Sequence, residues 1–487
     1  MNFFYNHKTL GFMNPMYIKS EKLIVSNNIN DLIDFSHKRL DYISLINFIS
    51  QTYIYGDRTL IDDIKISPWM AELSEDESSW IYNNDLPKHS ELNINERDFA
   101  RSFYEKLKEE IRNKLVNNQR VGILLSGGMD SRIVAAVLKT LIDEEFQGVN
   151  VTALTWGKKN SRDVVYAERI AKLFAWEWKH FEMKPDDLLT NMKICAQKGA
   201  IYSPLHLHAM PKIRSFHDVD IILAGSFGDS IGRGEYSGKK VLELQSFHSR
   251  PRNKFNLLKR KLFDQHKKLA FSEIERYRSI YPRDKEYQYC ELEKQIHYMR
   301  KQLNQCMAYI NESVPVYQVF TSQSIYELIW SIDPTLRNDK LYLNILNLTK
   351  PELLEIPWAR TGVKYLSELE EAPDDLDKEH HDYGIWIRNE LYDDIKSKVL
   401  SRNIKNMNVF NMSSLKTLLK KNKNRLGKAT IIDEYLIWVA SLSDFIDMYD
   451  IKFESEPLEE SRIEYIKNSL ITYAQFFVFN KKYNFKK

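Results

Sequence analysis

Apolar residues along this chain follow two rhythms. Phe99, Phe103, Leu107, Ile111 and Leu115 recur at four-residue steps with charges between them, the stripe of an amphipathic helix. Residues 121–125 are a short unbroken apolar run with no helical spacing, which predicts a strand buried on both faces. Residues 133–138 are apolar almost all round and predict a buried helix. The alternation continues with strands predicted at 149–156, 178–183 and 219–224, and helices at 163–174 and 186–198. Strands alternating with helices predict an α/β fold, a parallel doubly wound sheet with helices on both faces. Residues 1–92 read as small and mixed α+β, with helical spacing at 32–50 and a strand at 80–82. Residues 238–310 and most of the chain beyond Leu328 read as helical, apart from an acidic stretch at 368–377 and a basic loop at 420–428.

Between the first predicted strand and its helix lies Ser126-Gly127-Gly128-Met129-Asp130-Ser131. Strand, glycine turn and helix N-terminus together make an anion site, because first-turn N–H groups are free and the helix dipole favours negative charge. Glycines let the backbone approach a phosphate closely. The turn is neither GxxxxGK(S/T) nor GxGxxG, so the usual P-loop and the dinucleotide fingerprint are excluded. It offers two hydroxyls, Ser126 and Ser131, and one carboxylate, Asp130, but no lysine. Hydroxyls and N–H groups can grip a pyrophosphate, and a carboxylate beside phosphates works through Mg²⁺. The pattern SGGxDS resembles the PP-loop of ATP pyrophosphatases, which cleave ATP between its α- and β-phosphates. Two more polar turns, residues 156–162 and 225–235, follow predicted strands. Ligands of parallel sheets bind beyond the carboxyl ends of the strands, so the three turns are expected to converge.

The chain has 487 residues, enough for two domains, and its net charge of +3 is no nucleic-acid signature. No nucleic-acid partner is expected. The basic segment 252–268, with Lys254, Lys259, Arg260, Lys261, Lys267 and Lys268, reads as a solvated helix face; a patch for an anionic substrate or RNA is the alternative. Cys195, Cys290 and Cys306 form no CxxC pair and no zinc pattern, which fits a reducing, cytoplasmic setting. No stretch is long enough to insert into a membrane. His206 and His208, two apart, suit a strand face or loop rather than a metal site, and His380-His381 beside acids reads as surface.

Beyond the central turn, several segments resemble the asparagine synthetase family. LTWG at 154–157 is similar to the family's second strand and adenine-holding turn. LAGSFGD at 223–229 is similar to its LSGEGxDE segment. DPTLRNDKLYLNIL and IPWARTG resemble its C-terminal substrate and pyrophosphate segments, DYGIWIRNEL the late helix of divergent members, and GDRTLIDDIKISPW the end of its glutaminase domain. The resemblance runs over roughly residues 40–450. It implies a PP-loop/HUP-type sheet with a helical C-terminal part. The implied domains are a degenerate glutaminase-like region (1–95), a synthetase domain (96–450) and a helical tail (451–487). Three departures stand out. Asn2 occupies the place of the family's nucleophilic cysteine, and no cysteine precedes Cys195. Ser226 stands where the family carries a glutamate. Arg360, with Lys364 as the alternative, stands near the family's pyrophosphate-binding lysine.

The resemblance implies ATP-dependent carboxylate activation, with AMP and pyrophosphate as products and an amide as the outcome. Ser126, Gly127, Gly128 and Ser131 would hold pyrophosphate. Asp130 and Asp229 would bind Mg²⁺ and act in catalysis, and Leu125, Trp156, Gly157 and Gly225 would contact adenosine. Arg360 or Lys364 would neutralise the leaving group. Asp163 either supports the nucleotide loop or caps its helix. The substrates would be a small-molecule or peptide carboxylate and an amine donor, with ammonia from a separate source one option. No glutaminase activity is expected, since the thiolate nucleophile is missing. Two other readings stay open: a PP-loop enzyme that modifies tRNA or nucleotides, and a catalytically impaired nucleotide-binding relic or interaction subunit.

Overall fold

The structure, a computed structural model, describes residues 9–10, 12, 14–247, 251–368, 374–453 and 460–484. Asn2 and residues 369–373 of the acidic stretch lie outside the described residues. At its centre is a five-stranded, all-parallel sheet: β1 Arg120–Leu124, β2 Asn150–Gly157, β3 Glu177–Glu182, β4 Ile221–Ala224 and β5 Val316–Gln318, in the order β5-β4-β1-β2-β3. Leu124 lies opposite Leu154 of β2 on one side and Ala224 of β4 on the other. The chain runs outward from β1 through β2 to β3, then returns to β4 on the opposite flank. That reversal opens a crevice between β1 and β4 at the carboxyl edge, the place where open α/β sheets bind ligands.

Four of the five strands lie where the apolar runs predict them. β5 does not come from such a run; it has three partly exposed residues, too few to carry a period. Helices cover the sheet. They include α2 Glu96–Leu115, α3 Met129–Glu144 and α4 Arg162–Leu173; α1 Tyr42–Gln51, earlier in the chain, packs elsewhere. α2 starts where the Asn95 side chain accepts from Arg97 N–H at 2.8 Å, and it buries the predicted stripe from Phe99 to Leu115. α3 is buried almost all round, as its composition requires. The helical spacing at 32–50 resolves into a short turn, Asn30–Ile33, and α1. The basic segment is split among three short helical pieces, Lys254–Asn256, Arg260–His266 and Lys267–Leu269.

Two large cores divide the apolar residues. One lies between the sheet, α2 and α3, and includes Val121, Ile123, Ile133 and Phe103. The other joins distant parts of the chain: Ile18, Ile46 and Phe48 near its start, Leu188 and Met192, and residues of α5 (Ile431–Tyr449). Phe48 of α1 stacks on Trp438 of α5 with centroids 3.7 Å apart, and Tyr435 Oη donates to the Ile49 carbonyl at 2.6 Å. The segments before and after the sheet therefore bury the same apolar surface. Among the described residues, no helix is long and apolar enough to cross a membrane.

Candidate functional site

β1 ends at Leu124, and the SGGMDS turn follows at the carboxyl edge. Leu125 N–H donates to the Leu154 carbonyl at 3.0 Å, and Thr155 Oγ1 donates to the Leu125 carbonyl at 2.9 Å. The serines fasten the turn to the start of α3. Ser126 N–H donates to Ser131 Oγ at 3.2 Å, Gly128 N–H donates to Ser126 Oγ at 3.1 Å, and the two hydroxyls are 3.1 Å apart. Gly127 N–H donates to the Asp163 carbonyl at 3.0 Å. Asp163 thus supports the turn through its backbone. The amides of both glycines are engaged inside the protein, so the donors left for an anion are the serine hydroxyls and the first-turn N–H groups of α3. Gly128 caps α3 without a side chain, so nothing of its own covers that end.

A residue the sequence reading passed over holds this turn in place. Arg132, fully buried in α3, donates to the carbonyls of Gly127 (3.2 Å), Leu353 (3.0 Å), Ile356 (2.6 Å) and Pro357 (2.7 Å). Ala359 N–H donates to the Gly127 carbonyl at 3.1 Å. The IPWARTG segment is therefore bound to the turn by backbone and guanidinium together. A Cβ on Gly127 would lie 2.9 Å from Ala359 Cβ and from the Arg162 carbonyl, which explains the glycine.

The β4 turn meets the same place from the other flank of the crevice. A Cβ on Gly225 would lie 2.7 Å from Ser131 N and 2.8 Å from Asp130 C. A Cβ on Gly228 would lie 2.8 Å from Asp130 Cβ. Between them Phe227 takes a left-handed φ of 68° and rests its ring on Phe12, at the position where LSGEGxDE has a glycine. Gly225→Ala is expected to destabilise the chain by about 1–3 kcal/mol. Gly148→Ala, with nothing within 4 Å, should leave the urea midpoint almost unchanged. A Gly225→Ala midpoint equal to that of Gly148→Ala would contradict this packing.

Two carboxylates share the crevice. Burial pushes the Asp130 carboxyl up to about 7, and the charge of Asp229 adds to this; Arg233 opposes it. Burial also raises Asp229. Asp130 Oδ1 is buried and accepts no hydrogen bond from the protein, while Asp229 Oδ1 accepts from Ser230 N–H at 2.8 Å. Two neighbouring carboxylates, one with a bare oxygen, fit a hard divalent cation such as Mg²⁺.

The cations differ from the expected set. Arg233, four residues after Asp229, is buried with Nε 3.6 Å from Asp130 Oδ1; its Nη1 donates to Asp339 at 2.8 Å, and its guanidinium faces the Tyr342 and Trp358 rings. The i, i+4 spacing from Asp229 is the one sequence signal that points to it. Arg360 grips Glu235 through two hydrogen bonds, 2.6 and 3.2 Å, and lies over Trp358. It still acts on Asp130 electrostatically. Lys364 is not brought to the crevice; it pairs with Glu355 at the exposed surface.

At the end of β2, Trp156 is half-buried and packs against hydrophobic residues of two core clusters. Gly157 has a φ of 131°, and a Cβ there would lie 2.9 Å from the His380 carbonyl. That contact belongs to a strap, residues 374–383, lying over the β2 turn. Tyr166 Oη donates to Asp374 at 2.6 Å, Arg162 N–H to the Asp377 carbonyl at 2.9 Å and Lys158 N–H to the His380 carbonyl at 2.8 Å. Lys158 Nζ pairs with Asp377 and Asp382, both at 3.0 Å. His380 and His381, expected as surface residues, instead pack beside His208.

Residues 102–341 match the family model described as asparagine synthase. The glutamine-hydrolyzing asparagine synthetase of Gallus gallus is 39% identical over 61 residues, which is 12% of this chain and 11% of that protein. The chain thus aligns with about a ninth of that relative's length. Two solved structures show distant similarity. An NMN synthetase from Francisella tularensis has a TM-score of 0.21 at 16% identity, over 30% of this chain and 60% of that one. The U34-tRNA thiolase NcsA from Methanococcus maripaludis, with its 4Fe-4S cluster, has a TM-score of 0.22 at 18% identity, over 49% and 86%. Neither carries weight for function. The match to the family model spans the SGGMDS turn, the crevice and all five strands of the sheet, so residues 102–341 are similar to an asparagine synthase domain over just under half of the chain.

Proposed function

We propose that this chain is an ATP-dependent amide ligase that adenylates a carboxylate and passes the acyl group to a nitrogen nucleophile. A substrate carboxylate oxygen attacks the α-phosphorus of ATP, and the bond to the β-phosphate oxygen breaks to release pyrophosphate. The nitrogen then attacks the acyl carbon, AMP leaves, and an amide forms. Charge gathers on the departing pyrophosphate, so catalysis is mainly positioning and electrostatics. The first-turn amides of α3, with Ser126 and Ser131, bind that pyrophosphate. Leu125, Trp156, Gly157 and Gly225 border the adenosine. Asp130 and Asp229 would hold Mg²⁺, which would supply positive charge against the phosphates. Arg233 takes the part first given to Arg360 or Lys364, because it is already buried beside Asp130. Arg360 serves only by exchanging Glu235 for phosphate. Losing one such contact costs about 2–4 kcal/mol of barrier.

The observation that carries this reading is the meeting of the β1 and β4 turns. Gly225 backs directly onto Ser131 and Gly228 onto Asp130, so the hydroxyls and carboxylates of two distant segments are neighbours. The nitrogen comes from ammonia, an amino acid or the substrate itself, not from glutamine hydrolysed by this chain. All three cysteines are buried; burial raises the Cys195 thiol and pushes Cys290 and Cys306 up to about 12, so none offers a ready thiolate. The same burial disfavours thiol transfer to a nucleotide. Three unbridged cysteines fit a cytoplasmic location.

The test is ATP–pyrophosphate exchange across a panel of uronic acids, amino acids and peptides, with Mg²⁺ present. Exchange that requires one carboxylate and yields AMP is the expected result. Production of ADP, or exchange with no carboxylate dependence, contradicts the reading, and ammonia release from glutamine contradicts its second half.

A further inference from the structure

His208 ends the short turn Pro204–Leu207 with φ 48° and ψ −133°, a backbone that non-glycine residues keep only where surroundings hold them. His380 and His381 reach it from the strap. One nitrogen from each of the three rings lies within 4.8 Å of the others. Their outer contacts are set. Tyr383 Oη is hydrogen-bonded to His208 Nδ1 at 2.9 Å, and Tyr383 stacks on His381 at 3.7 Å. Asp163 Oδ2 lies 3.8 Å from His380 Nδ1. A partner on one ring nitrogen orients the other nitrogen, and a carboxylate beyond an imidazole is a common support for metal-binding histidine.

From this geometry we propose that His208, His380 and His381 form a three-nitrogen site for a divalent first-row transition metal, zinc above all, that latches the strap to the body of the protein. Zinc bound by three imidazoles at about 2.0–2.1 Å needs its nitrogens roughly 3.4 Å apart, a small side-chain adjustment from this arrangement. Imidazole alone, without thiolate, suits zinc, copper, iron or nickel rather than Mg²⁺. The surrounding charges are largely engaged with one another: Lys158 with Asp377 and Asp382, Lys428 with Glu379. Because His380 also lies against Gly157, the metal would secure the strap over the β2 turn. This site stands independently of the ligase reading.

The experiment uses the full chain stripped with EDTA, titrated calorimetrically with Zn²⁺ and spectroscopically with Co²⁺. One equivalent per chain is expected, with the intense visible band of a four-coordinate cobalt centre and no sulfur-to-metal charge transfer. His380→Gln and His381→Gln should each weaken Zn²⁺ binding by more than about 100-fold, and Asp163→Asn by about 10-fold. His37→Gln, at an exposed histidine elsewhere, should change nothing. Zn²⁺ should also slow proteolytic cutting within 374–383, a readout on the unmutated chain that no folding defect can confuse. No stoichiometric binding, undiminished affinity in both glutamine variants, or a strap cut equally fast with and without Zn²⁺ would each overturn the proposal.

Discussion

Asp130→Asn is expected to lower ATP–pyrophosphate exchange by about 10³-fold while making the ligand-free chain more stable above pH 7. The two effects share one cause. Burial and the facing Asp229 raise the Asp130 carboxyl to about 7, well above its unfolded value of about 4. The folded state therefore holds this proton more tightly than the unfolded state. Its stabilising contribution is complete below about pH 4 and is lost as pH rises through 7. Asparagine carries no charge to bury, so the variant escapes the loss. On the proposed reading Mg²⁺ would act in the opposite sense. By binding the folded carboxylate pair it should raise the melting temperature of the unmutated chain at pH 8 and should leave the asparagine variant where it was. Melting curves at pH 5 and pH 8, with and without Mg²⁺, check all of this. Exchange within tenfold of the parent, or a variant destabilised at pH 8, contradicts the assignment.

Arg132→Met should cost about 3–5 kcal/mol of stability. Methionine fills part of the volume but leaves the carbonyls of Gly127, Leu353, Ile356 and Pro357 without the guanidinium that now donates to them. Burial lowers the arginine to about 10, so it stays charged near neutrality and each of its bonds is charge-assisted. Lysine is a poor substitute, because a single ammonium cannot span carbonyls fixed in fork geometry. Urea unfolding should show a lower midpoint with unchanged slope for both Arg132→Met and Arg132→Lys. Exchange should fall as well, since the SGGMDS turn loses its tie to IPWARTG. A midpoint near that of the parent would mean the four carbonyls find other donors.

Much of this architecture is readable from residue order. The runs at 121–125 and 219–224 announce buried strands because both faces are covered, and the double glycine between a strand and a helix announces the tight turn that the β4 turn packs against. The meeting of the turns follows from parallel strands alone, which put all carboxyl ends on one edge. What stays hidden depends on distance along the chain. Arg132 looks like any helix cation until residues 353–357 fold over it. Arg233 looks like a loop residue until Tyr342 and Trp358 enclose it. Lys364 matches the resemblance as well as Arg360 does, and only the fold shows it turned to Glu355. The three histidines come from segments some 170 residues apart, so spacing rules for metal ligands cannot register them.

The stacking of Phe48 on Trp438 has a bearing on how the chain is made. Tyr435 and its acceptor Ile49 are 386 residues apart, and at 5–20 residues per second a ribosome needs about 20–80 s to travel between them. For that interval the side of Phe48 and Ile49 that meets α5 stays uncovered, although other members of the same core, such as Ile18 and Leu188, are made well before residue 431. The nascent N-terminal part is thus a natural client for a holding chaperone, and truncation before residue 431 would leave it permanently so.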